Sequence, residues 1–222
     1  MRSFKFLLTF LTLPLLIMAQ SSGDFGIKAG YTSAWQDQYI SEQKIENIDS
    51  RSGIYFGGYL DLFKGDVLGV KIDLGFTQKG FALEIPITTE EFPDGTGSFT
   101  SQKSRLNYLT ISFSPNVFYK AGNNTYYGFA GARVDIELSK DHEIEGPGDI
   151  LANYQASVDK IYSDYKSVLF GLTSGAGVQI GNVLPFDFGI EFRYNSDLSN
   201  VYENDFVYYR NSSLDILVFV VL

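Results

Sequence analysis

The feature that most constrains this chain is a two-residue alternation of side-chain character, which recurs along separate segments. In the clearest segment, Leu68–Lys79, every second residue from Leu68 to Phe76 is apolar, and the residues between are glycine, lysine and aspartate. Side chains of a β-strand point alternately to its two faces, so this segment is predicted to be a strand with one apolar face. An α-helix would scatter both sets of residues around its surface.

Seven other segments alternate in the same way and are predicted to be strands. They are Phe25–Thr32, Gly53–Leu62, Tyr108–Tyr119, Ala130–Leu138, Phe170–Ile180, Phe186–Asn195 and Leu214–Leu222. The last one is apolar on nearly both faces, and only Ser213 and Asp215 mark its polar side. Eight strands of this kind, rich in glycine, suit a closed and curved sheet.

The connections between these segments alternate strictly between short and long. The short ones are 64–66, 120–124 and 182–185, and the long ones are 35–50, 81–103, 139–166 and 198–206. Outer-membrane barrels have short periplasmic turns and longer extracellular loops. The sequence therefore predicts an all-β fold, an eight-stranded antiparallel up-and-down transmembrane β-barrel, with both chain ends on the periplasmic side.

Aromatic residues concentrate where the predicted strands end, which agrees with this prediction. Rings expected toward the long loops are Tyr31, Trp35, Tyr194, Tyr202 and Phe206, and rings expected toward the short turns are Phe63, Tyr119, Tyr126 and Phe186. Amphipathic rings settle at the level of the lipid headgroups and form two girdles. Strands are enriched in aromatic residues in any case. The rings therefore support a barrel only because their positions agree with the alternation of short and long connections.

The N-terminal segment has the order of a secretory signal. Basic Arg2 and Lys5 precede an apolar run from Phe6 to Met18, and Ala19 is followed by polar residues. We expect residues 1–19 to be a signal peptide and residues 20–222 to be one barrel domain in the outer membrane. The chain has no cysteine, so neither disulfides nor a lipid anchor on cysteine are expected.

The net charge excludes one class of partner. The chain has 17 basic and 26 acidic residues, and its formal charge is −9 at pH 7. Such a surface repels phosphate backbones, so no nucleic-acid binding is expected.

Five short motifs resemble those of a known family. In chain order they are Gly26–Gly30, Gly57–Tyr59, Phe76–Gly80, Leu106–Leu109 and Gly189–Tyr194. Together they resemble the PorT-like outer-membrane β-barrel proteins, over essentially the whole mature chain. The chain departs from that family at Thr110–Ser112, where Glu-Ile-Pro is usual, and at its last three residues, which lack a terminal aromatic. The resemblance implies a barrel and an outer-membrane location, and it implies no catalytic residues.

Charged residues of both signs fall on the predicted inner faces. They are Lys28, Lys71, Lys79, Arg133 and Arg193 with Asp61, Asp73, Asp135, Glu137 and Glu191. An eight-stranded barrel has an interior only wide enough for side chains or one small ligand. We expect these residues to form ion pairs that fill the lumen. The alternative, a path for protons or small solutes, requires a water-filled gap.

The sequence offers little for catalysis or metal binding. His142 lies between Asp141 and Glu143 on the longest connection, and one histidine without cysteine makes a zinc site improbable. Ser139 and Ser163 lack a nucleophile context, and Glu145, Asp149, Asp159 and Asp164 lack calcium-loop spacing. We therefore predict no catalytic, cofactor or metal residues and no cofactor.

The sequence thus favours a non-enzymatic outer-membrane barrel with a filled lumen and loops that contact the envelope or a partner. Expected partners are outer-membrane lipid, lipopolysaccharide and the barrel-insertion machinery. One alternative is a secreted soluble barrel of lipocalin type, in which the Leu68–Phe76 face lines a cavity for an apolar ligand. Another is a lipid-modifying enzyme with rim residues such as His142.

Overall fold

The structure, a computed structural model, describes residues 23–40, 43–45, 49–86, 99–146, 148–181, 186–204 and 207–222. The expected signal peptide and the connection 182–185 lie outside the described residues. Within the described part the elements are β1 (Phe25–Ile40), β2 (Gln43–Ile45), β3 (Asp49–Lys64), β4 (Leu68–Pro86), β5 (Phe99–Ala121), β6 (Asn124–Glu145), α1 (Gly148–Ser163), β7 (Val168–Ile180), β8 (Phe188–Asp197), β9 (Tyr202–Glu203) and β10 (Val207–Val221). No helix of these residues is long and apolar enough to cross a membrane.

Eight long strands close into a barrel. Strands β1, β3, β4, β5, β6, β7, β8 and β10 pair in that order, each antiparallel to the next, and β10 pairs with β1. Closure leaves none of these strands with an unpaired edge in the body of the barrel. The short strands β2 and β9 add to the ends of β1 and β10. The predicted eight-stranded antiparallel barrel is confirmed.

The register of the strands fixes their tilt. We start at Phe25 of β1 and step from each residue to its paired residue in the next strand. One circuit of the barrel returns to β1 at Trp35, ten residues farther on. The residues passed on the way are Leu60, Ile72, Phe113, Ala132, Leu172, Ser196 and Ser212. With ordinary strand spacings, this offset over eight strands gives a tilt of roughly 40°. The apolar outer positions of β4, from Leu68 to Phe76, then span roughly 20 Å of height, which fits the band of an outer-membrane barrel.

The faces of the strands lie as the alternation predicts. In β4, Lys71 and Asp73 point inward and are buried, whereas Leu68 is 60% exposed on the outside. In β10, Asp215 and Leu217 are buried and Ile216 is half exposed, which confirms the predicted phase. The apolar faces therefore form the exterior. The lipocalin-type alternative, which requires the Leu68–Phe76 face to line a cavity, is wrong.

The short connections are tight turns. Gly65–Val67 joins β3 to β4, and Gly122 and Asn123 alone join β5 to β6. Gly122 has a φ of +62°, a left-handed conformation that glycine adopts without steric cost. Two-residue hairpin loops favour such conformations because they match the twist of the strands.

The long connections contain more regular structure than the sequence predicts. Strand β1 continues to Ile40, β6 continues to Glu145, and the connection after β6 contains α1. The strand extensions lie above the apolar band, where the outer face is no longer apolar and the regular alternation ends. Pairing with neighbouring strands keeps them extended, and polar composition alone does not reveal this.

The aromatic residues follow the predicted girdles with one exception. Tyr31, Tyr194, Tyr119 and Phe63 are all more than 40% exposed on the outer wall. Tyr202, expected in the upper girdle, instead packs against the buried cluster at the mouth of the barrel. Phe206 lies outside the described residues.

Candidate functional site

The lumen is the part of the molecule in which polar and charged side chains are concentrated, and its lower half contains a five-residue ionic layer. We define this lower layer as Lys28, Lys71, Asp73, Glu191 and Arg193, all almost fully buried. Strands β1, β4 and β8 supply them from inward positions, so residues distant in sequence meet across the bore. The layer lies nearer the short turns.

Glu191 is the centre of the lower layer. Its carboxylate accepts hydrogen bonds from Lys28 Nζ at 2.8 Å and from Arg193 Nη2 at 2.6 Å, and Tyr127 Oη donates to it at 2.7 Å. Asp73 forms ion pairs with the same two cations, at 2.6 Å with Lys28 and 3.1 Å with Arg193. Both carboxylates therefore bridge the same cations, and with Tyr127 the network links four strands.

Lys71 is held differently from the other cations of the lower layer. Its Nζ lies 4.0 Å from Glu191 and sits over the rings of Tyr59 and Tyr127, at 4.9 Å and 4.5 Å from the centroids. The negative faces of the rings attract the ammonium group. Asp61, which is opposite Lys71 in the register, forms no ion pair among the described residues, although it is buried.

A second ionic layer lies closer to the long connections. We define this upper layer as Lys79, Arg133, Asp135 and Asp197. Lys79 Nζ lies 2.6 Å from Asp135 and 3.6 Å from Asp197, and Arg133 forms ion pairs with the same two carboxylates. Thr110 Oγ1 donates to Asp135 at 2.7 Å. Two cations and two anions thus balance each other in a buried site.

Most of the predicted lumen charges enter these layers, with two exceptions and one addition. Asp61 stays outside them, and Glu137 pairs with Lys140 at 3.3 Å near the rim. Asp197, a full member of the upper layer, was not predicted. Asp197 lies two residues after the inward Asn195, so the two-residue alternation of β8, continued by one step, places Asp197 on the inner face.

An aromatic cluster closes the periplasmic end of the lumen. We call this cluster the plug; it consists of Tyr59, Phe118, Tyr127 and Phe219. The ring centroids of Tyr59 and Phe219 are 5.9 Å apart, and those of Tyr127 and Phe219 are 6.2 Å apart. Inner glycines make room for these rings, because a Cβ on Gly189 would lie 2.4 Å from Phe219 Cζ.

A helix closes the extracellular end. We call α1 together with Tyr165 the lid. Val158, Tyr162 and Tyr165 are at most 5% exposed and pack against inward side chains of the barrel such as Leu106 and Tyr108. Val158 and Tyr162, four residues apart, lie on one side of α1, and Tyr165 follows just after its end. The lid therefore buries apolar surface inside the mouth of the barrel.

Polar contacts hold the lid as well. Tyr162 Oη hydrogen-bonds with Ser104 Oγ, and Gln102 Nε2 donates to Tyr162 Oη at 3.2 Å. Tyr165 Oη donates to Gln36 Oε1 at 3.2 Å, and burial raises the pKa of Tyr165 well above its usual value. Tyr165 is therefore a neutral hydrogen-bond donor at any physiological pH.

His142 belongs to this lid contact. Its Nε2 lies 2.7 Å from Asp159 Oδ1 and 3.0 Å from Gln155 Nε2, and its ring centroid is 4.6 Å from that of Tyr162. The register pairs His142 with Ser104, but Ser104 is completely buried and bonded to Tyr162. A serine in this state offers no accessible nucleophile.

The other candidate residues have structural roles or stay apart. Ser139 Oγ accepts a hydrogen bond from Asn107, and Ser163 Oγ donates to the carbonyl oxygen of Lys160. Among the residues that the structure describes, no three histidine, aspartate or glutamate side chains lie close enough together to hold a metal ion.

Comparison with known proteins identifies the fold family. The family model for the outer membrane protein β-barrel domain matches residues 18–203. The chain belongs to this family. The family and the apolar exterior together establish an integral outer-membrane β-barrel. No curated protein matches the chain significantly.

Several solved structures are similar to this barrel at low identity. The outer membrane protein OprG from Pseudomonas aeruginosa is 12% identical, with 91% of this chain and 97% of that chain covered and a TM-score of 0.44. Ail of Yersinia pestis, in complex with the heparin analogue sucrose octasulfate, is 16% identical, with 89% and 98% covered and a TM-score of 0.36. Neisserial surface protein A is 15% identical, with 88% and 96% covered and a TM-score of 0.37.

Proposed function

We propose that this protein is a non-enzymatic outer-membrane barrel that conducts no solute and acts through its extracellular end, by contact with the envelope or a partner. One observation carries the proposal: the plug and the lid close the two ends of the lumen, and two buried ionic layers lie between them. The resemblance to the PorT-like proteins, which depends on the motifs between Gly26 and Tyr194, is part of this proposal.

The energetics of the lumen support a filled barrel. A path for ions would have to separate Glu191 from Lys28 and Arg193, which leaves charges without partners in a narrow bore. The plug and the lid add an apolar barrier at each end. The extracellular end, in contrast, presents polar and charged side chains to the surroundings, including Asp159 and Lys160 of α1.

Conductance measurements test this proposal. Purified protein refolded into planar lipid bilayers is expected to show no steady conductance in molar potassium chloride. A porin with an open channel, refolded in the same way, is the control for detection of a current. Steady single-channel currents of the unmodified protein would contradict the proposal.

The non-enzymatic part of the proposal has a separate test. Cells that carry His142→Ala are expected to have the same lipid A and phospholipid composition, by mass spectrometry, as cells with the unmodified protein. Glu143→Gln, an exposed neighbour on the same strand, is the matched control. A lipid species that changes with His142→Ala alone would favour a rim enzyme instead.

A further inference from the structure

The apolar outer wall ends, on one side of the barrel, in a line of hydrogen-bonded polar side chains. Gln78 Nε2 of β4 donates to Asn107 Oδ1 of β5 at 3.0 Å, and Asn107 Nδ2 donates to Ser139 Oγ of β6 at 2.8 Å. Phe76 and Leu109, one outward position lower on β4 and β5, are still apolar. The polar line therefore marks the level at which the outer leaflet passes from acyl chains to headgroups.

Two arginines lie directly above this line, on either side of a glycine. Arg105 of β5 is two residues beyond Asn107 and is paired with Gly80 of β4. On the other side, the side chain of Arg51 of β3 extends over the same glycine. A Cβ built on Gly80 would lie 3.1 Å from Arg51 Cδ. Gly80 itself is buried, and its lack of a side chain lets Arg51 lie across β4 toward β5.

Most of the other basic residues at this end of the barrel have a carboxylate partner. Lys44, Lys103, Lys140 and Lys166 each have a carboxylate oxygen within 4.0 Å, from Asp37, Glu145, Glu137 and Glu203 respectively. Within the described part of the chain, neither Arg51 nor Arg105 has such a partner, although Arg105 is paired in the register with Asp141. Lys160 and Arg210 also lack one there, but Arg210 lies over the rings of Tyr39 and Tyr208 and donates to Asn200 Oδ1. In a protein with nine more acidic than basic residues, two neighbouring unpaired arginines are unusual.

We propose that Arg51 and Arg105 bind the phosphate group of an anionic lipid in the outer leaflet, with the phosphate held between the two guanidinium groups. Guanidinium groups present donors in a planar fork that matches the oxygens of a phosphate. The site adjoins the apolar wall, so a lipid whose acyl chains lie against Phe76 and Leu109 brings its phosphate to this height. The inference rests on the proposed contact with the envelope and names its chemistry.

Binding of diphosphoryl lipid A to the detergent-solubilised full chain, measured by native mass spectrometry, tests the site. We expect Arg51→Gln with Arg105→Gln to weaken binding about tenfold or more, since charge-assisted hydrogen bonds to phosphate are lost. Lys103→Gln with Lys166→Gln removes the same charge from the same end and is the matched control; it is expected to retain most of the binding. Unchanged heat-dependent mobility on SDS gels is expected to show that each variant folds.

Three outcomes would overturn the inference. They are equal loss in the control variant, no loss in the double arginine variant, and equal binding of lipid A from which the phosphates have been removed. None of these results bears on conductance, so the site can fail while the proposed function stands.

Discussion

The two ends of the lumen are closed by different means. At the periplasmic end the plug consists of strand side chains such as Tyr59 and Phe219, which are fixed by the same register that closes the barrel. At the extracellular end the lid is a helix from a connection, which enters the mouth from outside. Loss of the plug therefore disturbs the barrel itself, whereas the lid can leave without breaking a strand pair. Local openings of this kind have lower free energies than global unfolding.

The largest expected effect lies between the two ends, in the lower layer. Glu191→Gln leaves Lys28 and Arg193 buried with one carboxylate fewer, and breaking a buried ion pair in this way costs about 3 to 5 kcal/mol of unfolding free energy. The measurement is the urea midpoint of the protein folded in lipid vesicles. Glu203→Gln, which removes an exposed carboxylate paired with Lys166, is the control and is expected to leave the midpoint unchanged. A similar midpoint for both variants would show that the lumen charges do not stabilise the barrel.

Removal of a plug ring is expected to have the next largest effect. Phe219→Ala creates a cavity between Tyr59 and Tyr127, and such large-to-small changes in a core cost about 3 kcal/mol. The same urea measurement applies, with Leu222→Ala as the control because Leu222 is exposed just beyond the end of β10. Amide exchange of α1 is expected to stay unchanged. Faster exchange in α1 would mean that the two ends are coupled through the ionic layers.

A change in the lid is expected to act locally. Tyr162→Ala removes a buried ring that packs on Tyr165 at 4.6 Å between centroids, so amide exchange in α1 is expected to become at least about tenfold faster. The urea midpoint of the barrel should change little. Lys160→Ala, on the exposed side of the same helix, is the control. A large fall in the urea midpoint would contradict the distinction between the plug and the lid.

This contrast also explains how much could be predicted from the sequence. The inner faces could be predicted residue by residue, as for Lys71 with Asp73 and Glu191 with Arg193, because a strand has a period of two. The partners could not, because Lys28 and Glu191 are 163 residues apart and meet only through the tilt and offset of the strands. The sequence predicts that cations and anions share the bore, and the register decides which of them pair.

The lid was missed although a signal was present. Val158, Ile161, Tyr162 and Tyr165 follow the three-and-four spacing of an apolar helix face, inside a connection that the turn pattern marks only as long. Tyr202 was assigned to the lipid girdle because it lies near a strand end. Tyr202 packs inward instead, because the lid provides apolar partners inside the mouth of the barrel. The pattern of one strand does not reveal a helix that packs against it.

The smallest expected effect concerns an ion pair on the periplasmic surface. Lys120 Nζ donates to Asp66 Oδ1 at 2.8 Å between two turns, and this hydrogen bond lowers the pKa of Asp66 below its usual value. A lowered pKa in the folded state contributes stability above the usual aspartate pKa, and the contribution is lost as the pH falls through the folded-state pKa. Because the pair is fully exposed and screened by salt, Asp66→Asn is expected to leave the urea midpoint unchanged at pH 7 and at pH 3. A clear fall in the urea midpoint at pH 7 alone would mean that surface ion pairs, as well as the plug, stabilise this end of the barrel.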